Sequence, residues 1–177
     1  MSRAMLTASK LHIARHCLHP WDATATHVEH DSGDFFARRR GTLTHAFIDE
    51  ALSGLAVTGV QDDDPAAREA RVLADNALAW WATVQGGALV ACTEQAFGVY
   101  PDGGVRCIGR VTDRGYPDDD AVWGTADLVW VDETGRVNVL DWKTGAPQNV
   151  EPVHENAQLA ALAAMAVVLH AGRGEAG

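Results

Sequence analysis

The feature that most constrains this chain is a three-residue loop, Glu133-Thr134-Gly135, set between two runs that alternate apolar and polar residues, Ala121 to Val131 and Arg136 to Trp142. Alternation at period two marks a strand with one buried face. A three-residue hairpin loop closes as a type I turn followed by a residue at positive φ, and Gly135 stands at that third position. The loop therefore pairs 132 with 136 and fixes the register behind it. Counting back residue by residue puts Asp127 opposite Asp141 on one face of the sheet, with Cβ atoms about 4.5 to 5.5 Å apart. Lys143, two residues beyond Asp141, points to that same face, and Leu140 and Trp142 point to the other, into the core.

Two carboxylates opposed across a hairpin repel each other. Packing them together makes sense when a divalent cation bridges them or when one carries a raised pKa. An all-oxygen carboxylate site suits Mg²⁺ or Mn²⁺ and leaves coordination positions for water and a phosphate oxygen. A lysine beside such a ligand can stabilise developing negative charge or hold the attacking water. Those are the parts that hydrolysis of a phosphodiester needs. The spacing alone also fits an Asp-Lys pair on a solvated strand face, worth roughly 0.2 to 1 kcal/mol.

Upstream of residue 88 the apolar period is helical. Residues 7 to 17 and 34 to 55 read as helices, the second with Leu43, Phe47, Ala51 and Leu55 as its buried stripe, Thr42 or Thr44 as its cap and Gly54 as its end. A third spans 66 to 84, with Pro65 at its start, Leu73, Ala77, Trp80 and Val84 along one face and Trp81 beside it. From Ala88 to Trp142 four strands follow, 88 to 100, 105 to 111, 121 to 131 and 136 to 142, and Glu155 to His170 is an apolar helix. This order implies an α/β or α+β sheet with helical cover. At 177 residues the expectation is one domain over 1–177. No run approaches the roughly 18 apolar residues of a membrane helix, and Lys10, His12 and Arg15 break any signal-like stretch, so a cytoplasmic protein with no membrane partner is expected. Three cysteines, Cys17, Cys92 and Cys107, lack paired spacing and fit a reducing compartment. Net charge of −10 leans against nonspecific nucleic-acid binding, although Arg38, Arg39 and Arg40 form a compact basic run.

Gly124-Thr-Ala-Asp127 followed by Leu140-Asp141-Trp-Lys143-Thr-Gly145 resembles the GxxD and DxKTG motif pair of the RecB-like exonuclease branch of the PD-(D/E)XK nuclease superfamily. Further pieces stand in the family's order. Gly41-Thr-Leu-Thr-His45 resembles its upstream helical histidine motif, Glu94 the acidic residue of the first core strand, and Gln158-Leu159 the glutamine motif after the lysine. Ser9-Lys10-Leu11 with Cys17 is similar to an N-terminal Ser-x-x-Leu and cysteine segment, at a spacing one shorter. The resemblance covers about residues 5 to 170. It implies a restriction-endonuclease-like mixed central sheet flanked by helices and a divalent-metal-dependent nuclease that hydrolyses DNA, as an exonuclease. His45, Glu94, Asp127 and Asp141 would hold Mg²⁺ or Mn²⁺, Lys143 would be the electrostatic catalyst, Gln158 would contact substrate or support the lysine, and Arg38 to Arg40 would track phosphates. DNA, single- or double-stranded, would be the partner, with a protein partner or a larger recombination, repair or phage complex as the wider setting.

Departures from the family pattern bear on these expectations. No cysteine follows Cys107, so no iron-sulfur cluster is expected. Where the glutamine motif often ends in tyrosine the chain offers Ala164 or Met165, and it stops at Gly177, as a C-terminally truncated domain or one with a small sheet would. Each outlying residue also has a plain structural reading: His45 as a surface or capping histidine, Glu94 as a solvent-facing strand residue, Gln158 as a helix-start hydrogen bonder, Arg38 to Arg40 as a soluble turn, and Asp49 and Glu50 as a solvated helix face. His12 and His16 stand four apart near Cys17 and His19 but lack the paired spacing of structural zinc. Two rival classes remain beside the nuclease: a catalytically inactive nuclease-fold interaction module, and a domain whose Asp and Lys are surface pairs. Metal binding and cleavage distinguish them.

Overall fold

A computed structural model describes residue 8 and residues 35–61, 63–88, 90–111, 115–117, 120–145 and 151–174. Apart from residue 8, the helix expected at 7–17, the Ser9, Leu11 and Cys17 segment and the His12, His16 and His19 cluster lie outside these residues. Two helices come first, α1 (Phe35–Ser53) and α2 (Pro65–Val84). Four strands follow, β1 (Val90–Val99), β2 (Val105–Arg110), β3 (Val122–Val131) and β4 (Val137–Leu140), and then α3 (Ala157–Gly174). The sheet runs β2-β1-β3-β4 and is flanked by helices, the restriction-endonuclease-like α/β arrangement that the resemblance implied, with every pair among the described strands antiparallel where a mixed sheet was expected. Parallel neighbours need a crossover of a dozen or more residues, usually a helix, and no helix stands among the described residues between β1 and β4.

The hairpin follows the loop chemistry. Asp132 Oδ1 accepts from the backbone N–H groups of Thr134 at 2.9 Å and Arg136 at 3.0 Å, and from the Thr134 hydroxyl at 2.6 Å. Gly135 takes φ of 79°, as the bulge demands. Leu128 then pairs with Leu140, Val129 with Val139 and Val131 with Val137, the register read from the loop. Pairing stops at Leu140, one residue short of Asp141. There the backbone N–H of Trp142 donates to Asp127 Oδ2 at 2.6 Å, so a side chain takes the donor and the chain leaves the sheet.

Two apolar clusters hold the layers. Leu162, Met165 and Ala166 of α3 pack on Phe97, Ala126 and Val129 at one face, and each large side chain fully buried there contributes roughly 1.5 to 3 kcal/mol. Ala126 and Val129, three apart, share this cluster, which regular alternation forbids, so the pleat of β3 breaks between them. Directly opposite the break, Glu94 of β1 has φ of 49°. The other cluster joins Leu43, Phe47 and Ile48 of α1 to Ala66, Ala67, Ala70 and Ala74 of α2, with Trp142 against it. Trp142 meets Trp80 edge-on with ring centroids 5.8 Å apart, and Trp130 meets Trp81 at 4.9 Å.

Helix faces differ in detail from the expected stripes. Ala51 is exposed, Leu55 lies beyond the helix, and Thr44, Ile48 and Asp49 are buried in their place. Thr42 and Thr44 sit inside α1, not at its cap, and their hydroxyls donate to the carbonyls of Arg38 and Arg40. In α2 the buried face is the alanine row with Trp81, while Trp80 and Val84 are exposed; small residues let the two helices approach, and the larger ones turn outward. Asp64 caps α2 by accepting from Ala66 N at 2.9 Å, with Pro65 in its first turn.

Because Gly135 sets the register, its backbone is the sensitive point of the hairpin. Gly135→Ala should cost roughly 1 to 2 kcal/mol, the price of a left-handed alanine, and Gly135→Asn clearly less, since asparagine tolerates that region. Urea denaturation of the two variants beside the wild type measures the difference; equal losses would sink the assignment.

Candidate metal centre

Three elements bring their side chains together at the break in the pleat. Register places Glu94 of β1 opposite Asp127 of β3, because Thr93 pairs with Leu128 and Gln95 with Ala126. The same count in the hairpin carries Asp141, just past β4, to the other side of Asp127. Carboxylates from three successive segments therefore line up in one cross-strand row. His45 reaches in from the middle of α1, with its Nδ1 3.4 Å from Asp127 Oδ1. It is not at a helix start, where the sequence placed it, and it faces the sheet.

His45, Glu94 and Asp127 each offer a ligand atom within 4.8 Å of the others. One imidazole nitrogen and two carboxylates are a donor set that fits a divalent cation taking oxygen and nitrogen ligands. Asp141 stands beside this triad and outside it. Its carboxylate forms an ion pair with Lys143 and accepts from Gln158 Nε2 at 3.4 Å. Gln158, in the first turn of α3, thus bonds a carboxylate and not the backbone. All of these side chains line one cavity of about 860 Å³.

Packing explains the convergence. Trp142 plants its indole against the α1 and α2 cluster while its N–H holds Asp127, which sets its neighbours Asp141 and Lys143 at the cavity wall. Helix α1 comes close because residue 41 is glycine: a Cβ there would stand 2.8 Å from Thr144 Oγ1. Leaving that residue bare brings His45, one turn along, into range.

The site is electrostatically loaded. Burial, and then the charge of Asp127, push the Asp141 carboxyl above the usual range, and the hydrogen bond and charge of Lys143 only partly offset them. Burial pulls the His45 imidazole down, but the hydrogen bond to Asp127 and the charges of Asp127, Glu94 and Asp141 outweigh it, leaving His45 above its ordinary 6.5. Glu94 adds backbone strain, since a non-glycine residue in the left-handed region costs about 1 to 3 kcal/mol.

The basic run behaves differently. Arg39 Nε donates to Asp64 at 2.7 Å, and Arg40 Nη1 bonds Glu69 at 3.0 Å, so both clamp α1 to the start of α2; Arg38 is exposed. Asp49, expected on a solvated face, is 8% exposed and paired with Arg110 of β2. Arg110 and the Asp49 partnership escaped the sequence reading because nothing in local spacing links positions 61 apart. The one available signal was Asp49 four residues after His45, on the same helix face.

Residues 5–177 match the family model of the PD-(D/E)XK nuclease superfamily. No curated protein and no solved structure matches the chain. No helix among the described residues is long and apolar enough to cross a membrane.

Two measurements on the metal-free protein test this geometry. Asp127→Asn removes what raises the His45 pKa most and leaves the burial that lowers it, so the imidazole should titrate lower than in wild type by NMR. In wild type the stabilisation from protonated His45 is full below pH 6.5 and is lost as pH rises through the higher folded value. Glu94→Asn should raise the thermal midpoint, because asparagine accepts the left-handed backbone and one of the crowded carboxylates is gone. A lowered midpoint would refute the strain.

Proposed function

The chain belongs to the PD-(D/E)XK nuclease superfamily, and we propose that it is a DNA exonuclease of the RecB-like branch that uses Mg²⁺ or Mn²⁺. The observation that carries the reading is the His45, Glu94 and Asp127 cluster, opposed across the sheet by Asp141 and its Lys143 partner. His45, Glu94 and Asp127 would hold the cation, and Asp141 beside them would be the fourth ligand. A bound divalent cation supplies Lewis-acid stabilisation to the oxygens of a phosphodiester.

The chain's own residues do the rest. Asp127 accepts from Trp142 N with one oxygen and turns the other to His45, so its ligating geometry is fixed before any cation arrives. Burial and the charge of Asp127 raise the proton affinity of Asp141, and a divalent cation held here would favour its carboxylate form. Lys143, held at the cavity wall by Asp141, presents its ammonium where negative charge develops on the scissile phosphate. Gln158 steadies Asp141 from α3. Arg38, exposed near the start of α1, would meet the DNA backbone there, while Arg39 and Arg40 would serve that surface only by opening their ion pairs.

Lys143→Ala should leave Mg²⁺ binding nearly intact and slow cleavage on the order of 10² to 10³-fold, the usual cost of deleting one preorganised electrostatic donor. Asp127→Ala and Asp141→Ala should abolish both. Calorimetry with Mg²⁺ or Mn²⁺ and cleavage of end-labelled and circular DNA measure this, and cutting of circles would replace the exonuclease reading with an endonuclease. A wild type that binds the cation yet cuts no DNA or RNA would point to an inactive interaction module.

A further inference from the structure

Asp49 and Arg110 form an ion pair on the wall of the same cavity, and the reading above makes no use of either. The pair ties α1 to β2, with Arg110 Nη2 donating to Asp49 Oδ2. Asp49 lies one turn beyond His45 and so projects from the same face of the helix. Arg110 is anchored beside Glu94: it pairs with Gln95 across β1 and β2, and Val111 N donates to the Glu94 carbonyl at 3.0 Å.

As a structural staple this pair is poorly made. Asp49 is buried and Arg110 half-buried, so both charges have given up hydration. Such a pair recovers that cost only when its remaining polar atoms are matched as well. Here Arg110 Nε and Asp49 Oδ1 are buried with no hydrogen-bond partner among the described residues. A buried donor and acceptor left over in a cavity wall call for a ligand, an ion or a water to explain them.

The charge around the cavity gives the sign of that ligand. Among the described residues its lining carries four carboxylates, Asp49, Glu94, Asp127 and Asp141, against two permanent cations, Arg110 and Lys143. One divalent cation would bring this set to neutrality and no further, so among the described residues of the wall these two side chains are the positive contacts open to a polyanionic strand. Lys143 is engaged by Asp141, whereas a guanidinium offers five donors in a planar fork and Asp49 occupies only one side of it. Lys143 is held by Asp141 and Arg110 by Asp49, so the two cations are presented at separate points of the wall. Arg110 ends β2 and Lys143 lies just past β4, and these are the two edge strands of the four-stranded sheet, about 14 Å apart by strand spacing.

We propose that Arg110 binds a second backbone phosphate of the nucleic-acid strand, next along from the phosphate at Lys143, and that Asp49 is the positioning residue that orients its guanidinium. This rests on the nuclease reading and adds to it a register of the strand across the sheet, from the β4 edge toward the β2 edge.

Fluorescence anisotropy of a labelled DNA oligonucleotide in Ca²⁺, over a range of KCl, tests it together with cleavage kinetics in Mg²⁺. Arg110→Gln should weaken binding about 10-fold or more, as expected for one lost charged hydrogen bond. It should also reduce the salt slope by about one and raise KM with kcat nearly unchanged. Arg110→Lys keeps the charge and the ion pair, so it should fold as wild type, retain the slope and recover part of the affinity. Asp49→Asn should retain the slope, because the guanidinium stays. Equal weakening by Arg110→Gln and Asp49→Asn with unchanged slopes would mean a structural staple and overturn the proposal. Wild-type cleavage with an unchanged KM in Arg110→Gln overturns it while leaving the nuclease reading standing. A wild type that neither binds nor cuts nucleic acid overturns both.

Discussion

One carboxylate, Asp127, carries the arrangement. It accepts the Trp142 N–H, which ends the β3–β4 ladder and turns the chain toward α3, and it faces His45, which ties α1 to the sheet. It also stands between Glu94 and Asp141 in the cross-strand row. The interaction is local, yet it decides where β4 stops, where Lys143 emerges and which wall of the cavity α1 forms. Without the break in the pleat, Asp127 and Val129 would share one face; the break lets Val129 join the core under α3 while Asp127 meets α1.

Gathering acids this way sets stability against readiness. Folding raises the proton affinity of both His45 and Asp141, so in the metal-free protein their protonated forms favour the folded state and loss of the proton opposes it. The left-handed backbone of Glu94 adds to the load. A cation that binds among these groups favours the folded state over an unfolded chain that has no such site, and the linkage strengthens as pH rises and the competing proton leaves.

Much of this was readable in the residues. The Glu133-Thr134-Gly135 loop fixed the register because turn chemistry and period two are local signals, and the structure pairs the strands as that loop requires. Element boundaries fell close for the same reason. What escaped was set by tertiary contact. The early exit of β4 depends on a side chain 15 residues away, the inward face of α2 depends on alanines meeting α1, and the pairing of Asp49 with Arg110 spans 61 positions. The three arginines show the converse: their sequence reads as a patch, and two of them spend their charge on Asp64 and Glu69.

A net charge of −10 weighs against a nucleic-acid partner only at long range, where the protein acts as its sum. Within about 10 Å, beyond which salt screens exposed charges at 0.1 M, placement decides. Part of the acid is already spent: Asp64 caps α2 and holds Arg39, and Asp132 closes the hairpin, each with its carboxyl held below the usual range, first by the hydrogen bonds from Arg39 and Thr134. The acids that face the cavity are the ones a divalent cation would neutralise. On the proposed reading a bound divalent cation would offset the negative charge that Arg110 and Lys143 leave uncompensated at the cavity wall, and so would lessen the repulsion of a polyanionic strand as well as supply the chemistry of its hydrolysis.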